Sequence, residues 1–291
     1  MATDASERQD NEGYKFGGTK PDNVYVKSSL TDGSGSPISE DNRLPVDNFP
    51  SSDFKINVAL GLIPGTEFRS VFGSSEVDEG IANNQVLGDG MTGRYQFPSS
   101  PAQMTLVSDS ADDDITGTGA RVALIRGNIT GNVELFESIL LDGTNPVTTV
   151  NSYLRINSVL IVSVGSNGKN VGTITLKNGA DLLAQVNPEQ NVSRTAIYSI
   201  PAGVTGAIIT GEVLAGKDDS GTIEYHVYPS ALGNIDIIPF TQEVYQNLIN
   251  TNISPFLIES GSDFETTGYS ETDSGISHLS SLFELILVDD E

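Results

Sequence analysis

The chain holds 291 residues, with 15 Lys+Arg against 39 Asp+Glu, a formal net charge of −24, no cysteine, no tryptophan and two histidines. Such a charge opposes binding to a phosphate backbone or an anionic lipid surface. The missing cysteines exclude disulfides, thiolate nucleophiles, Fe–S clusters and zinc–thiolate sites, and two histidines leave little material for a multi-histidine metal centre. A hydrophobic share of 37% supports a core beside much polar, loop-like sequence, so the expectation is an acidic, non-enzymatic protein.

Residues 1–50 read as an extended N-terminal arm. Gly13, Gly17, Gly18, Gly33 and Gly35 alternate with Pro21, Pro37, Pro45 and Pro50, and the one strand-like patch is Asn23-Val-Tyr-Val-Lys27. Prolines pre-set extended backbone and remove donors, while glycines make turns. The start, Met1 to Asp10, is polar and acidic rather than basic then apolar, so no signal peptide is expected. The longest apolar stretch is Val159-Leu-Ile-Val162, far short of a membrane span.

Residues 51–101 alternate apolar patches (Ile56 to Leu60, Phe68 to Phe72) with breakers at Gly61, Pro64, Gly65 and Gly73, and read as a β-rich connector.

Residues 102–230 carry the clearest signal, an apolar–polar alternation of period two punctuated by turn residues. Val122 and Leu124 oppose Ala123 and Ile125. Val133, Leu135, Ile139 and Leu141 share a side of a strand that ends at Asp142-Gly143. Leu154, Ile156, Leu160, Val162 and Val164 keep one parity, and Ile174 and Leu176 point inward before Asn178-Gly179. Further strands fall at Ala196–Ile200, Ala207–Ile209, Val213–Leu214 and Ile223–Tyr228. Eight or more short strands, with Asn-Gly and Asp-Gly turns and no intervening helical pattern, predict an all-β fold: an antiparallel β-sandwich or jelly roll.

Residues 231–291 predict a small C-terminal region with one short helix. Phe240, Val244 and Leu248 form a stripe over Phe240–Ile249, flanked by Tyr245, with Thr241 as N-cap. An acidic Ser/Thr/Gly-rich run follows from Glu259 to Ser281, then an apolar final strand, Leu282–Val288, that must be tucked into a sheet.

Candidate chemistry is sparse. Asp109, Asp112, Asp113 and Asp114, ahead of Gly117-Thr-Gly119, invite a calcium reading, but their spacing misses the alternate-ligand loop, and an acidic inter-strand loop is preferred. Asp218-Asp219 before Gly221 reads as a hairpin turn. Glu137, flanked by apolar strand residues, is the nearest candidate for a glycosidase carboxyl pair and is expected to face outward or sit at an edge. His226 and His278 lack a second histidine nearby and are expected to be hydrogen-bonded or surface residues. Gly17-Gly18 and Gly117-Thr-Gly119 open no helix after a strand, so neither is a phosphate cradle. No catalytic, cofactor or metal residues are assigned.

Six stretches occur in a recognisable order: Ala111–Val122, Leu124–Gly127, Leu140–Thr149, Asn151–Asn157, Gly165–Ile174 and Ile200–Gly203. Upstream stand Asn42-Arg-Leu-Pro-Val46 and Gly65–Gly73. Over residues 42–228 the chain resembles a family of virion structural proteins of tailed bacteriophages, of the marine and cyanophage type. The resemblance implies a non-enzymatic virion component made in the host cytoplasm: a capsid decoration, cement or fibre protein. It also implies a homotrimer, with the major capsid protein or other virion proteins as partners and neither nucleic acid nor membrane. A tail-fibre or baseplate adhesin binding host surface glycan is the alternative, and a polysaccharide depolymerase the third reading.

Overall fold

The computed structural model describes residues 54–80, 82, 84–232, 235–245, 256–271 and 275–290; the N-terminal arm of 1–50 lies outside the described residues. The described residues from Phe54 to Leu62 belong to a unit of their own, in which Phe54–Ala59 is a single helical turn. Its end explains why the Ile56–Leu60 patch is not the strand that a β-rich connector implied. Gly61 takes φ +68°, its N–H reaches Val58 O at 2.9 Å, and Leu62 N–H reaches Asn57 O at 2.9 Å. That pair of bonds closes a left-handed helix cap only glycine accommodates cheaply.

From Ile63 onward the described residues are almost entirely antiparallel β-structure, as expected from the alternation. One body is a six-stranded sheet in the order β5-β4-β6-β3-β7-β8, built from β3 (Ala102–Ser108), β4 (Ala120–Ile129), β5 (Glu134–Leu140), β6 (Val147–Val164), β7 (Ile174–Asn178) and β8 (Asp181–Val186). The 18-residue β6 serves two neighbours: its start pairs with β3 and its remainder with β4. Met104, Leu106, Ile125, Ile156, Leu176 and Val186 fill the core inside this sheet.

The second body is a sandwich of two facing sheets. One runs β1-β15-β10-β13, from β1 (Thr66–Asp78), β10 (Val204–Ala215), β13 (Phe256–Ile258) and β15 (Ile276–Asp289). The other runs β12-β11-β14-β2, from β2 (Gln85–Val86), β11 (Ser220–Tyr228), β12 (Ile237–Tyr245) and β14 (Asp263–Ser270), with β9 (Ile197–Ser199) also on β14. Phe264 of one sheet meets Phe283 of the other edge-on, ring centroids 4.6 Å apart. The apolar final strand is thus central, paired along β1 on one side and β10 on the other. Both sheets therefore join strands from either side of the sequence limits at 101/102 and 230/231: β15 pairs with β1 and β10, and β14 pairs with β2 and β11.

Four local expectations are corrected. The stripe over Phe240–Ile249 is no helix where described: Phe240 and Val244 lie on β12, opposite Tyr225 and Gly221 of β11. A spacing of four is even, so it also fits period two, and the β-branched and aromatic content of Ile237 to Tyr245 favours a strand. The parity of β6 flips at an extra residue, Asn157, since Gly127 pairs with Ile156 but Arg126 with Ser158. Val159 and Ile161 therefore join Ile156 in the core, while Leu160 and Val162 turn outward. Ala207–Ile209 and Val213–Leu214 are one strand bulged at Ile209. Finally, the acidic run after Glu259 contains β14, whose Asp263 and Glu265 are buried.

Candidate interaction face

The acidic loop is a structural knot. Asp113 is wholly buried. Its Oδ1 accepts Ala120 N–H at 2.7 Å and Val171 N–H at 2.9 Å; its Oδ2 accepts Ser108 Oγ–H at 2.7 Å and Gly172 N–H at 2.8 Å. Gly143 N–H donates to Asp113 O at 2.8 Å, and Gly165 N–H to Gly119 O at 2.7 Å. Segments 111–122, 140–149 and 165–174, distant in sequence, meet at this residue, the first and last at its carboxylate and the middle one at its backbone carbonyl. A Cβ on Gly119 would lie 2.2 Å from Asp113 Oδ1, and one on Gly165 would lie 2.4 Å from Gly117 O. The glycines are needed for close approach. Asp109 accepts Thr173 N–H, and Thr116 donations hold the exposed Asp114 carboxyl below the usual carboxylate range.

Glu137 sits on β5, the edge strand of its sheet as one of the two expectations had it, but faces inward rather than outward, at 8% exposure. It belongs to the inward set of β5, and its oxygens accept Val150 N–H at 2.6 Å, Asn151 N–H at 3.1 Å and Asn151 Nδ2–H at 2.8 Å. His226 is buried, 2.9 Å through Nδ1 from Asp236 and 2.9 Å through Nε2 from Thr267 Oγ1. His278 is exposed between Glu76 and Asp219. Asp218, at φ +67°, and Asp219 form the β10–β11 turn.

Three other features carry little signal in the sequence. Arg155 of β6 clamps Asp263 of β14 (Nε to Oδ1 2.7 Å, Nη2 to Oδ2 2.7 Å), and Arg94 holds Glu265 at 2.6 Å, so paired charges tie the two β-bodies. Asp89 lines a depression of about 620 Å³ with Glu76 and His278. Its Oδ2 has no hydrogen-bond partner among the described residues, and burial pushes the carboxyl up to about 6 against the pull of Arg194.

The third feature is an apolar outer face. Leu140 stands opposite Val122, and Leu124 lies between Ser138 and Leu160, so one side of β5-β4-β6 shows Phe136, Leu140, Val122, Leu124, Leu160 and Val162. Leu140 is 59% and Phe136 52% exposed. Leu160 also borders a groove of about 290 Å³ lined by Arg69, Arg126 and Arg194 with Phe72 and Tyr198, whose lining holds no carboxylate. Arg126 lies 5.2 Å over the Phe136 ring, and Arg194 lies 5.9 Å over Phe72. Glu134 binds Arg126 Nε at 2.7 Å, and burial raises its carboxyl above the usual range despite Arg69. The Arg69 side chain is nine-tenths buried, and its Nε has no hydrogen-bond partner among the described residues. Period-two alternation could not reveal this face: outward apolar residues on adjacent strands become a patch only once register is known.

No family model matches the chain, and no curated protein matches it in sequence. Among solved structures, it overlaps that of the infectious bursal disease virus VP2 subviral particle at 9% identity, covering 77% of this chain and 72% of that one, with a TM-score of 0.24. Against T=1 particles derived from the same virus the identity is 11%, the coverage 77% and 70%, and the TM-score 0.19. At these TM-scores the overlap defines no shared fold.

Proposed function

We propose that this chain is a non-enzymatic virion structural protein of a tailed bacteriophage: a capsid decoration, cement or head-fibre subunit. In this reading it acts as a homotrimer attached to the major capsid protein through the arm of residues 1–50. The virion assignment rests on the resemblance over residues 42–228. The observation that carries the binding role is the outer face of β5-β4-β6, a multi-strand apolar patch on a strongly acidic chain. Supporting it, the carboxylates of Asp113 and Glu137 are engaged by backbone and side-chain donors that fix loops.

Immunogold labelling of intact particles with antibody against residues 102–228 tests the reading. Label over the head supports decoration or head fibre. Label confined to the tail promotes the adhesin alternative, and unlabelled particles refute a virion role. New reducing ends from host capsule incubated with the protein would refute the non-enzymatic part.

A further inference from the structure

We infer that the depression lined by β1, β15 and the turn of residues 88–91 binds a neutral saccharide. The inference goes beyond the assembly role proposed above and does not rest on it.

The depression, of about 620 Å³, takes its lining from both β-bodies: β1, β10 and β15 belong to the sandwich, whereas Asn187 directly follows β8 of the six-stranded sheet. Ligand sites favour such junctions. Strand register places its polar groups. Ser74 pairs with Ser280, and Glu76 with His278, across β1 and β15. Such partners lie ~5 Å apart, and successive pairs on one face lie ~7 Å apart along the strand. Two hydroxyls, a carboxylate and an imidazole therefore form an array about as large as one pyranose ring with its hydroxyls. Phe72, two residues before Ser74 on the same side of β1, is 39% exposed, and Leu214 of β10 pairs with Ser280. These two supply apolar surface beside the array. The turn that carries Asp89 is pinned to β1: Ser75 Oγ–H donates to Gly88 O at 2.9 Å, and Gly88 N–H donates to Ser75 Oγ at 2.8 Å.

The lining selects the class of ligand. Glu76 and Asp89 stand in it without a Lys or Arg, which repels anions. A cation gains little there. His278 Nε2 lies 2.9 Å from Glu76 Oε1, and Arg194 already offsets the charge of Asp89. Among the described residues no group of three His, Asp or Glu is placed to hold a metal ion. A purely apolar ligand would cover the hydroxyls and carboxylates without giving them partners, which costs more than it gains. A neutral polyol meets both demands. Its hydroxyls donate to the Glu76 and Asp89 carboxylates and exchange hydrogen bonds with Ser74, Ser280 and His278, while its C–H face covers Phe72 and Leu214.

The two histidines of the full chain make the test direct: His278 lines the depression and is exposed, whereas His226 is buried outside it. Their ring signals in a proton–nitrogen NMR spectrum, assigned with His278→Gln, are followed as uncharged mono- and trisaccharides of glucose, galactose and mannose are added. Glucuronate and spermidine serve as charged probes. An uncharged sugar is expected to shift the His278 signal saturably and to leave His226 in place. Glu76→Ala and Ser280→Leu each weaken that sugar ~10-fold or more, with unchanged melting temperature. Glu243→Ala, at an exposed position on β12, leaves its affinity unchanged. Should Ser280→Leu fail to fold, Glu76→Ala, whose side chain is 68% exposed, carries the test alone. Equal affinity for mono- and trisaccharide assigns the site to free sugars, and a gain with length assigns it to a polysaccharide. No His278 response to any uncharged probe overturns the inference, as does a response to glucuronate or spermidine alone. A sugar response that both variants leave intact overturns it too. None of these outcomes bears on the virion reading, which particle labelling tests separately.

Discussion

Replacing Asp113 by Asn preserves shape but breaks the hydrogen-bond arithmetic at the knot. The remaining carbonyl oxygen can still accept Ala120 and Val171 N–H, as Oδ1 does now. The amide nitrogen, however, takes the place of Oδ2 and points N–H at N–H toward Gly172, while Ser108 can rotate its hydroxyl to accept. One charge-assisted bond is lost, at ~1.5–3 kcal/mol, and a buried N–H is orphaned, at ~1–3 kcal/mol. The two together predict a loss of ~3–5 kcal/mol, against a typical domain stability of ~5–15 kcal/mol. Urea unfolding followed by circular dichroism measures it, with Asp112→Asn at the exposed neighbour as the control, expected within ~0.5 kcal/mol of wild type. A loss under ~1 kcal/mol for Asp113→Asn would mean that the carboxylate does not hold segments 111–122 and 165–174 together.

The other predictions rest on separate observations. Gly119→Ala drives a Cβ to within 2.2 Å of Asp113 Oδ1 and should cost ~2–3 kcal/mol in the same unfolding assay; a neutral result would show that the loop is not closely packed. Arg155→Ala leaves the buried Asp263 with Ser199 Oγ–H at 2.6 Å, and is expected to cost ~3–5 kcal/mol. Hydrogen exchange should then rise at the facing β6 and β14, and a wild-type exchange pattern would deny that the clamp joins the bodies. For Asp89 the sign follows from its raised folded pKa of about 6. Between the unfolded value near 3.8 and about 6 the folded chain retains a proton that the unfolded chain gives up, so stability falls as pH rises and levels off above. Asp89→Asn should therefore raise the melting temperature relative to wild type more at pH 7 than at pH 4, and an offset equal at both would sink the assignment.

The strands were legible wherever one face of a strand meets a core and the other does not. Ile174 and Leu176 pointed inward as their alternation required, and β7 turned at Gly179, which takes φ +61°. Legibility failed where a physical feature breaks period two or where both faces are buried. A bulge at Asn157 shifted Val159 and Ile161 into the core, and no composition marks the place of the extra residue. β14 is hidden in the acidic Ser/Thr/Gly-rich run because Asp263 and Glu265 occupy the face turned toward Arg155 and Arg94, partners far away in sequence. The inward turn of Glu137 on the edge strand β5 escapes the sequence for the same reason: its donors at Val150 and Asn151 come from a separate strand. The candidate interaction face was invisible because it depends on the register of three strands.

The placement of charge bears on how copies of this chain could meet. Arg94 and Arg155 are committed to Glu265 and Asp263 inside the protein, and Arg126 is largely held by Glu134. Two copies approaching with a formal charge of −24 each repel at distances up to the Debye length, ~10 Å at 0.1 M salt. Contact pairs around the groove cannot alone offset that repulsion, since exposed ion pairs contribute at most ~1 kcal/mol. The apolar side chains of β5-β4-β6 are the part of the face whose burial does not weaken with salt. Moderate salt should therefore strengthen association by screening the long-range repulsion, whereas a contact held by the arginines alone would weaken monotonically. Light scattering of the wild-type chain across a salt series separates the two, and monotonic weakening would transfer the energetic role from the leucines to the groove.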